Sequence, residues 1–213
     1  ITPFTVVLKA NVLSEGGESA SEQGFYWGEN PNVEHKVKCT GSSFSYELKG
    51  LSRNTTYYVK SYSVNSVGTA YSDVIEFTTM PGLPAVSTEE VSEIAEYSAV
   101  CHGSITDDGG AEITDKGFVY GPTSNPDTHH GTKVSAGQGM DNFSLTLSDL
   151  SPNVTYYVQA YAENPAGISY GDQQSFTTKT ALPSVGMATL VTSTSSSLTV
   201  SASLIDDGGE APS

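Results

Sequence analysis

The sequence predicts an all-β protein built from tandem Greek-key β-sandwiches. Three observations carry that reading. The stretch 147–167, LSDLSPNVTYYVQAYAENPAG, returns in altered form at 51–68, LSRNTTYYVKSYSVNSVG, so the chain holds an internal repeat. Within both copies, side chains alternate with a period of two, as in a strand with one face in a core. Paired glycines at Gly16, Gly109 and Gly208 recur at intervals of roughly a hundred residues, the size of a sandwich module.

Each element follows in order. Residues 4–12 alternate Val6, Leu8, Ala10 and Val12 inward. They read as the second strand of a sandwich, B, with strand A missing. Glu15-Gly16-Gly17 makes the turn, because glycine reaches positive φ without strain. Strand C is 24–28, with Phe25 and Trp27 inward and Tyr26 outward. A short polar edge strand covers 33–40, and 43–51 is strand E, alternating Phe44, Tyr46 and Leu48. Strand F carries Tyr57 and Val59 inward, and 70–79 is strand G. The joint Met80-Pro81-Gly82-Leu83-Pro84 holds two prolines and is expected to be semi-rigid. Lys179-Thr180-Ala181-Leu182-Pro183 repeats it.

Residues 87–97 mix two signals. Ser87 and Glu90 resemble a capping box, and Val91 with Ile94 has helical spacing. The counterpart after the second joint, ATLVTSTSSSL, is rich in β-branched residues, so both are read as strand A. The second module then turns Ala99, Cys101, Gly103 and Ile105 inward on strand B, and Asp107-Asp108-Gly109-Gly110 makes its turn. Its strand C is 117–121; Phe143, Leu145 and Leu147 mark strand E, and Phe176 closes strand G. A third strand B shows Leu198, Val200, Ala202 and Leu204, followed by Asp206-Asp207-Gly208-Gly209. The expected organisation is therefore 1–80, a module lacking its first strand; 84–179, a complete module; and 183–213, the first two strands of a third.

The run before strand F resembles a tyrosine corner, which assigns that role to Tyr57 and Tyr156. The ordered series GFVYG, NFSLTLSDLSPNVTYYVQAYAENPAG and SYGDQQSFTT resembles fibronectin type III modules. More narrowly, it is similar to the kind found in surface and secreted proteins of Bacteroidetes. The first copy departs at Arg53, Ser61 and Ser63, where the second has Pro152, Ala160 and Ala162. The resemblance implies immunoglobulin-like sandwiches, an extracellular or cell-surface location, and a window onto a longer array.

Charge excludes some partners. With 24 acids against 9 bases the net charge is −15. Nucleic acid and anionic lipid surfaces, whose phosphates need Lys and Arg, are not expected partners. No apolar run is long enough to span a membrane. Cys39 and Cys101 fall one in each repeat, so neither repeat can close a disulfide of its own. Cys101 takes the place of Leu8 and Val200 and reads as a small buried hydrophobe.

No enzyme motif is present, and no cofactor is implied. His129 and His130 are adjacent, and neighbours on an extended chain point opposite ways, which argues against chelation. Asp107-Asp108 and Asp206-Asp207 read as turn formers rather than calcium ligands. Asn54, Asn142 and Asn153 head Asn-x-Ser/Thr triplets; in a eukaryotic secreted protein these would be glycan acceptors, and with a bacterial source they are turn and strand-edge positions.

The surface feature with binding character is a set of outward tyrosines: Tyr157 and Tyr161 on one strand F, Tyr58 and Tyr62 on the other, with Tyr26 adjoining. Such a row would stack on sugar rings, or else is cross-strand packing. The expected function is a non-catalytic spacer or adhesion stalk in a longer multi-module cell-surface or secreted protein, its partners being other modules of the same chain. One alternative is a module that binds a polysaccharide or a surface protein, including one accessory to a secreted polysaccharide-degrading enzyme. Another is a phage virion surface protein. A further expectation is strand exchange, in which 183–205 supplies the missing strand A of a neighbouring chain.

Overall fold

The computed structural model describes residues 1–209; positions 210–213 of the expected third module lie outside the described residues. The chain divides into two compact units, Ile1–Leu83 with Gly109–Ala111, and Pro84–Asp108 with Glu112 onward. All regular structure among the described residues is β-strand.

In the first unit, β1 (Thr5–Asn11) pairs antiparallel with β4 (Ser43–Lys49), after β2 (Glu22–Gly28) and β3 (His35–Cys39). β5 (Thr56–Val64), β6 (Thr69–Tyr71) and β7 (Ile75–Thr78) complete it. The second sheet runs β3-β2-β5-β6, with β7 also on β5. The alternation read in the sequence puts Val6, Leu8, Phe44 and Leu48 of one sheet against Phe25, Tyr57 and Val59 of the other. The Phe25 and Phe44 rings meet at 5.1 Å. Tyr46, on the phase of Phe44 and Leu48, remains exposed.

In the second unit, β8 (Ala85–Thr88), β9 (Ala99–Asp107) and β12 (Phe143–Leu147) form one sheet in the order β12-β9-β8. β10 (Asp115–Gly121), β11 (Thr132–Gly137), β13 (Thr155–Asn164) and β14 (Gly167–Tyr170) form the other as β11-β10-β13-β14, with β15 (Gln174–Thr177) also on β13. The ambiguous stretch is a strand through Thr88 and a single bridge at Ser92, while Val91 and Ile94 still pack on the core. Cys101, Phe118, Leu147, Val158, Ala160 and Ala162 lie in that core.

Both corners form. The Ser52 and Ser151 amides each donate to the hydroxyl oxygen of Tyr57 and Tyr156 at 2.9 Å. Thr79 and Thr178 close the corners from behind, their hydroxyls donating to Ser52 O at 2.7 Å and Ser151 O at 2.6 Å.

The units differ where β8 lies. Thr88 Oγ1 accepts from the Ala160 amide at 2.8 Å, in a buried position. Gly171 makes room for this strand: a Cβ there would sit 2.5 Å from Thr88 N. The first unit has Ser72 at that place, and its hydroxyl accepts from the Ser61 amide at 2.9 Å. Among the described residues β1 has no second neighbour, and a groove of about 530 Å³ lined by Val6, Leu8, Phe25, Val59 and Phe77 runs beside it.

The last strands pair with one another. β16 (Ser184–Val185) lies on β19 (Leu204–Asp206), and β17 (Thr189–Ser193) on β18 (Leu198–Ser201). Their Leu190, Leu198 and Val200 are exposed. The segment 183–205, expected to supply a strand to a neighbouring chain, pairs within itself in this chain.

Candidate functional site

The outer face of each five-stranded sheet carries the tyrosines expected to bind. In the first unit Tyr58 lies opposite Gly28, Lys60 opposite Tyr26, and Tyr62 opposite Gly24. Tyr26 therefore falls between the two strand-F tyrosines, and its ring centroid is 5.0 Å from that of Tyr62. Tyr71 of β6 pairs with Tyr62 and lies 6.1 Å from the Tyr26 ring. In the second unit Tyr157 and Tyr161 face Gly121 and Gly117, and Val119 takes the place of Tyr26.

Two of the five tyrosines are not available as platforms. Tyr62 is 2% exposed and Tyr161 0%. Their positions point away from the sandwich core, but other groups cover them. The Lys36 ammonium sits 4.6 Å from the Tyr62 ring and the Lys133 ammonium 4.5 Å from the Tyr161 ring. The hydroxyls are also committed, Tyr62 donating to Glu22 Oε1 at 3.0 Å and Tyr161 to Asp115 Oδ2 at 2.8 Å. Tyr26, Tyr58 and Tyr157 are half-buried. Tyr71, which sequence reasoning missed, is the open member at 54% exposure. Its signal was present: Tyr170 stands at the matching place in the second copy and pairs with Tyr161.

The two ion clusters are built alike. Glu22 bonds Lys36 at 2.6 Å and Lys38 at 2.5 Å. These lysines, with help from Tyr62, hold its carboxyl down to about 2. Burial, then Glu22, pushes the Tyr62 phenol up to about 12. At Asp115 burial works upward, but hydrogen bonds from Lys133, Ser135 and Tyr161 outweigh it and hold the carboxyl below its usual range. A depressed carboxylate contributes stability that is complete above its unfolded value of about 4.3 and is lost as pH falls through the folded value. The Glu22 carboxyl carbon resonance should thus titrate with a midpoint near 2. A midpoint of about 4 or higher, the free glutamate range, would show that the cluster does not hold in solution.

Lys36, Lys38 and Lys60 place three of the chain's 9 bases on this face. Lys60 lies 4.7 Å from the Tyr71 ring and 5.7 Å from that of Tyr26. The remaining sequence candidates are locally engaged. Asp127 Oδ1 accepts from the His129 and His130 amides at 2.8 and 2.7 Å and caps their loop. Burial pushes the Cys101 thiol up to about 12, which makes it a poor nucleophile. Among the described residues no group of three His, Cys, Asp or Glu side chains is placed to hold a metal.

A five-stranded sheet facing a two-stranded sheet in the first unit and a three-stranded sheet in the second, each closed by a tyrosine corner, makes these tandem immunoglobulin-like sandwiches of the fibronectin type III kind. No family model matches the chain. Over 175 residues, 78% of its length, it is 27% identical to fibronectin type III domain containing protein 3C1 of Mus musculus. Over 162 residues, 71% of its length, it is 28% identical to fibronectin type-III domain-containing protein 3A of Homo sapiens, and 30% identical to that of Pongo abelii. The chain spans only 12–13% of the length of these relatives. No helix among the described residues is long and apolar enough to cross a membrane.

Proposed function

We propose that the chain is a non-catalytic spacer or adhesion-stalk segment of a longer multi-module protein, acting at a cell surface or in the secreted space. The source suggested by its motifs is a bacterium of the Bacteroidetes. One observation carries this reading: the chemistry at the centre of each outer sheet face is spent internally. Tyr62 and Tyr161 satisfy their hydroxyls on Glu22 and Asp115, and Lys36 and Lys133 lie on their rings. A recognition face would leave such groups for a ligand. The relatives support it, being fibronectin type III domain-containing proteins by name.

A second reading, recognition of a polysaccharide or surface protein, is favoured by Tyr71 with Tyr26 and Lys60, which form a partly open aromatic and cationic patch on an acidic chain. A binding screen against soluble polysaccharides and glycoproteins separates the two. The spacer predicts no saturable binding that depends on this face. Saturable binding lost in the Tyr26→Ala/Tyr71→Ala variant, with the circular dichroism spectrum unchanged, would replace the spacer by a recognition module.

A further inference from the structure

We propose that the asparagine at the E–F corner is a socket for the diglycine turn of the following repeat, so that each repeat carries both halves of a latch. The inference rests on the spacer reading and supplies its joining chemistry. Asn54 and Asn153 head strand F and hold left-handed backbones, φ 46° and 52°. That conformation, tolerated by asparagine, is fixed in both by a hydrogen bond of 3.2 Å that the backbone amide donates to the chain leaving strand G, at Met80 O and Lys179 O. The side chain is thereby aimed outward. Asn54 Nδ2 donates to Gly110 O at 2.6 Å, and Asn153 Nδ2 to Gly209 O at 2.6 Å, the acceptor lying 56 positions on in both cases.

A second bond accompanies each. The Gly82 amide donates to Gly109 O at 2.7 Å, and the Ala181 amide to Gly208 O at 2.9 Å. The same two bonds thus form twice, once inside each compact unit. A pair of asparagines chosen only for turn propensity would have no reason to reach the same carbonyl.

The glycines are required by the socket as well as by the turn. Gly208 and Gly209 have φ of 74° and 83°. A Cβ on Gly209 would lie 2.5 Å from Pro152 O, and one on Gly208 2.0 Å from Ala181 O. On Gly110 it would lie 3.3 Å from Arg53 Cβ. The two aspartates before the second turn shape it, with Asp206 and Asp207 carboxylates accepting from the Gly208 and Gly209 amides at 2.9 Å each. Gly17 has the same kind of backbone, φ 91°, yet nothing lies within 4 Å of a Cβ there. Gly17 is therefore an internal control. Alanine at Gly17 and at Gly209 incurs similar backbone strain, and only the second meets a socket.

The test is amide hydrogen exchange by NMR on the full chain, comparing wild type with Asn153→Ala, Gly209→Ala and Gly17→Ala. Loss of one hydrogen bond of ordinary strength corresponds to about a fivefold to tenfold change in an opening equilibrium. Exchange at Ala181, whose amide binds Gly208 O, should rise by about that factor in the first two variants and stay unchanged in Gly17→Ala. Unchanged exchange at Ala181 in Asn153→Ala would overturn the latch, as would an equal effect from Gly17→Ala. The outcomes separate from those of the spacer reading. Latch bonds that respond as expected, together with ligand binding lost in Tyr26→Ala/Tyr71→Ala, would sink the spacer and leave the latch. Failure of both would leave only the fold.

Discussion

Phe118→Ala should remove a large part of the stability of the second sandwich. Phe118 is fully buried, opposite Ala160 on one neighbouring strand and Val134 on the other, with its ring 5.1 Å from that of Phe143. Phe143 in turn covers Gly103, where a Cβ would come within 2.7 Å of the ring, so the space around Phe118 is already filled. Truncation leaves a cavity that backbone-paired strands cannot close. The expected cost is about 3–5 kcal/mol, set against about 5–15 kcal/mol for a whole domain. Thermal unfolding followed by circular dichroism should show the second-unit transition falling by about 15 °C or more. Trp27 is the single tryptophan and lies in the first unit, so fluorescence reports that unit alone. Its urea midpoint should shift by no more than the loss of the Asn54 contact to Gly110 allows, about 1 kcal/mol. A loss of less than about 1 kcal/mol in the second unit would mean that the core there is loosely packed.

Much of this core was readable from spacing. The alternation of Tyr156, Val158, Ala160 and Ala162 shows which face of β13 is inside, and those four side chains are buried. The corner tyrosines were equally legible, because the motif and the turn that positions them are both local in sequence. The outer face was not. A period of two places Tyr62 and Tyr161 outside the sandwich but says nothing of what crosses over them. The covering ammonium groups come from β3 and β11, whose registers are set by pairing with β2 and β10. At Gly24 and Gly117 a Cβ would strike the neighbouring carbonyl of Val37 or Val134 at 2.0 Å. That close approach appears in the sequence only as a glycine. Asn54 and Asn153 were visible as repeated turn residues, but their acceptors lie 56 positions on, beyond the reach of local patterns.

Thr88→Val is the sharpest test of how the two sandwiches differ. Valine matches threonine in shape and β-propensity, so strand β8 should keep its place. What it loses is the acceptor for the Ala160 amide, which Thr88 Oγ1 receives at 2.8 Å in a buried position. Ala160 itself is 0% exposed, so water cannot easily replace the lost partner. A buried donor left unsatisfied costs about 1–3 kcal/mol. The first unit meets the same demand differently, with the Ser72 hydroxyl accepting from the Ser61 amide at 2.9 Å and no strand at that place among the described residues. That position should make a simple rescue fail in the second unit. Gly171 corresponds to Ser72, but any side chain there would press on Thr88 N at 2.5 Å. Gly171→Ser should therefore displace β8 and destabilise the second unit by itself. Urea denaturation should place Thr88→Val about 1–3 kcal/mol below wild type, with faster exchange at the Ala160 amide. Full stability in Thr88→Val would mean that this amide finds another acceptor and that β8 is held by its pairing with β9 alone.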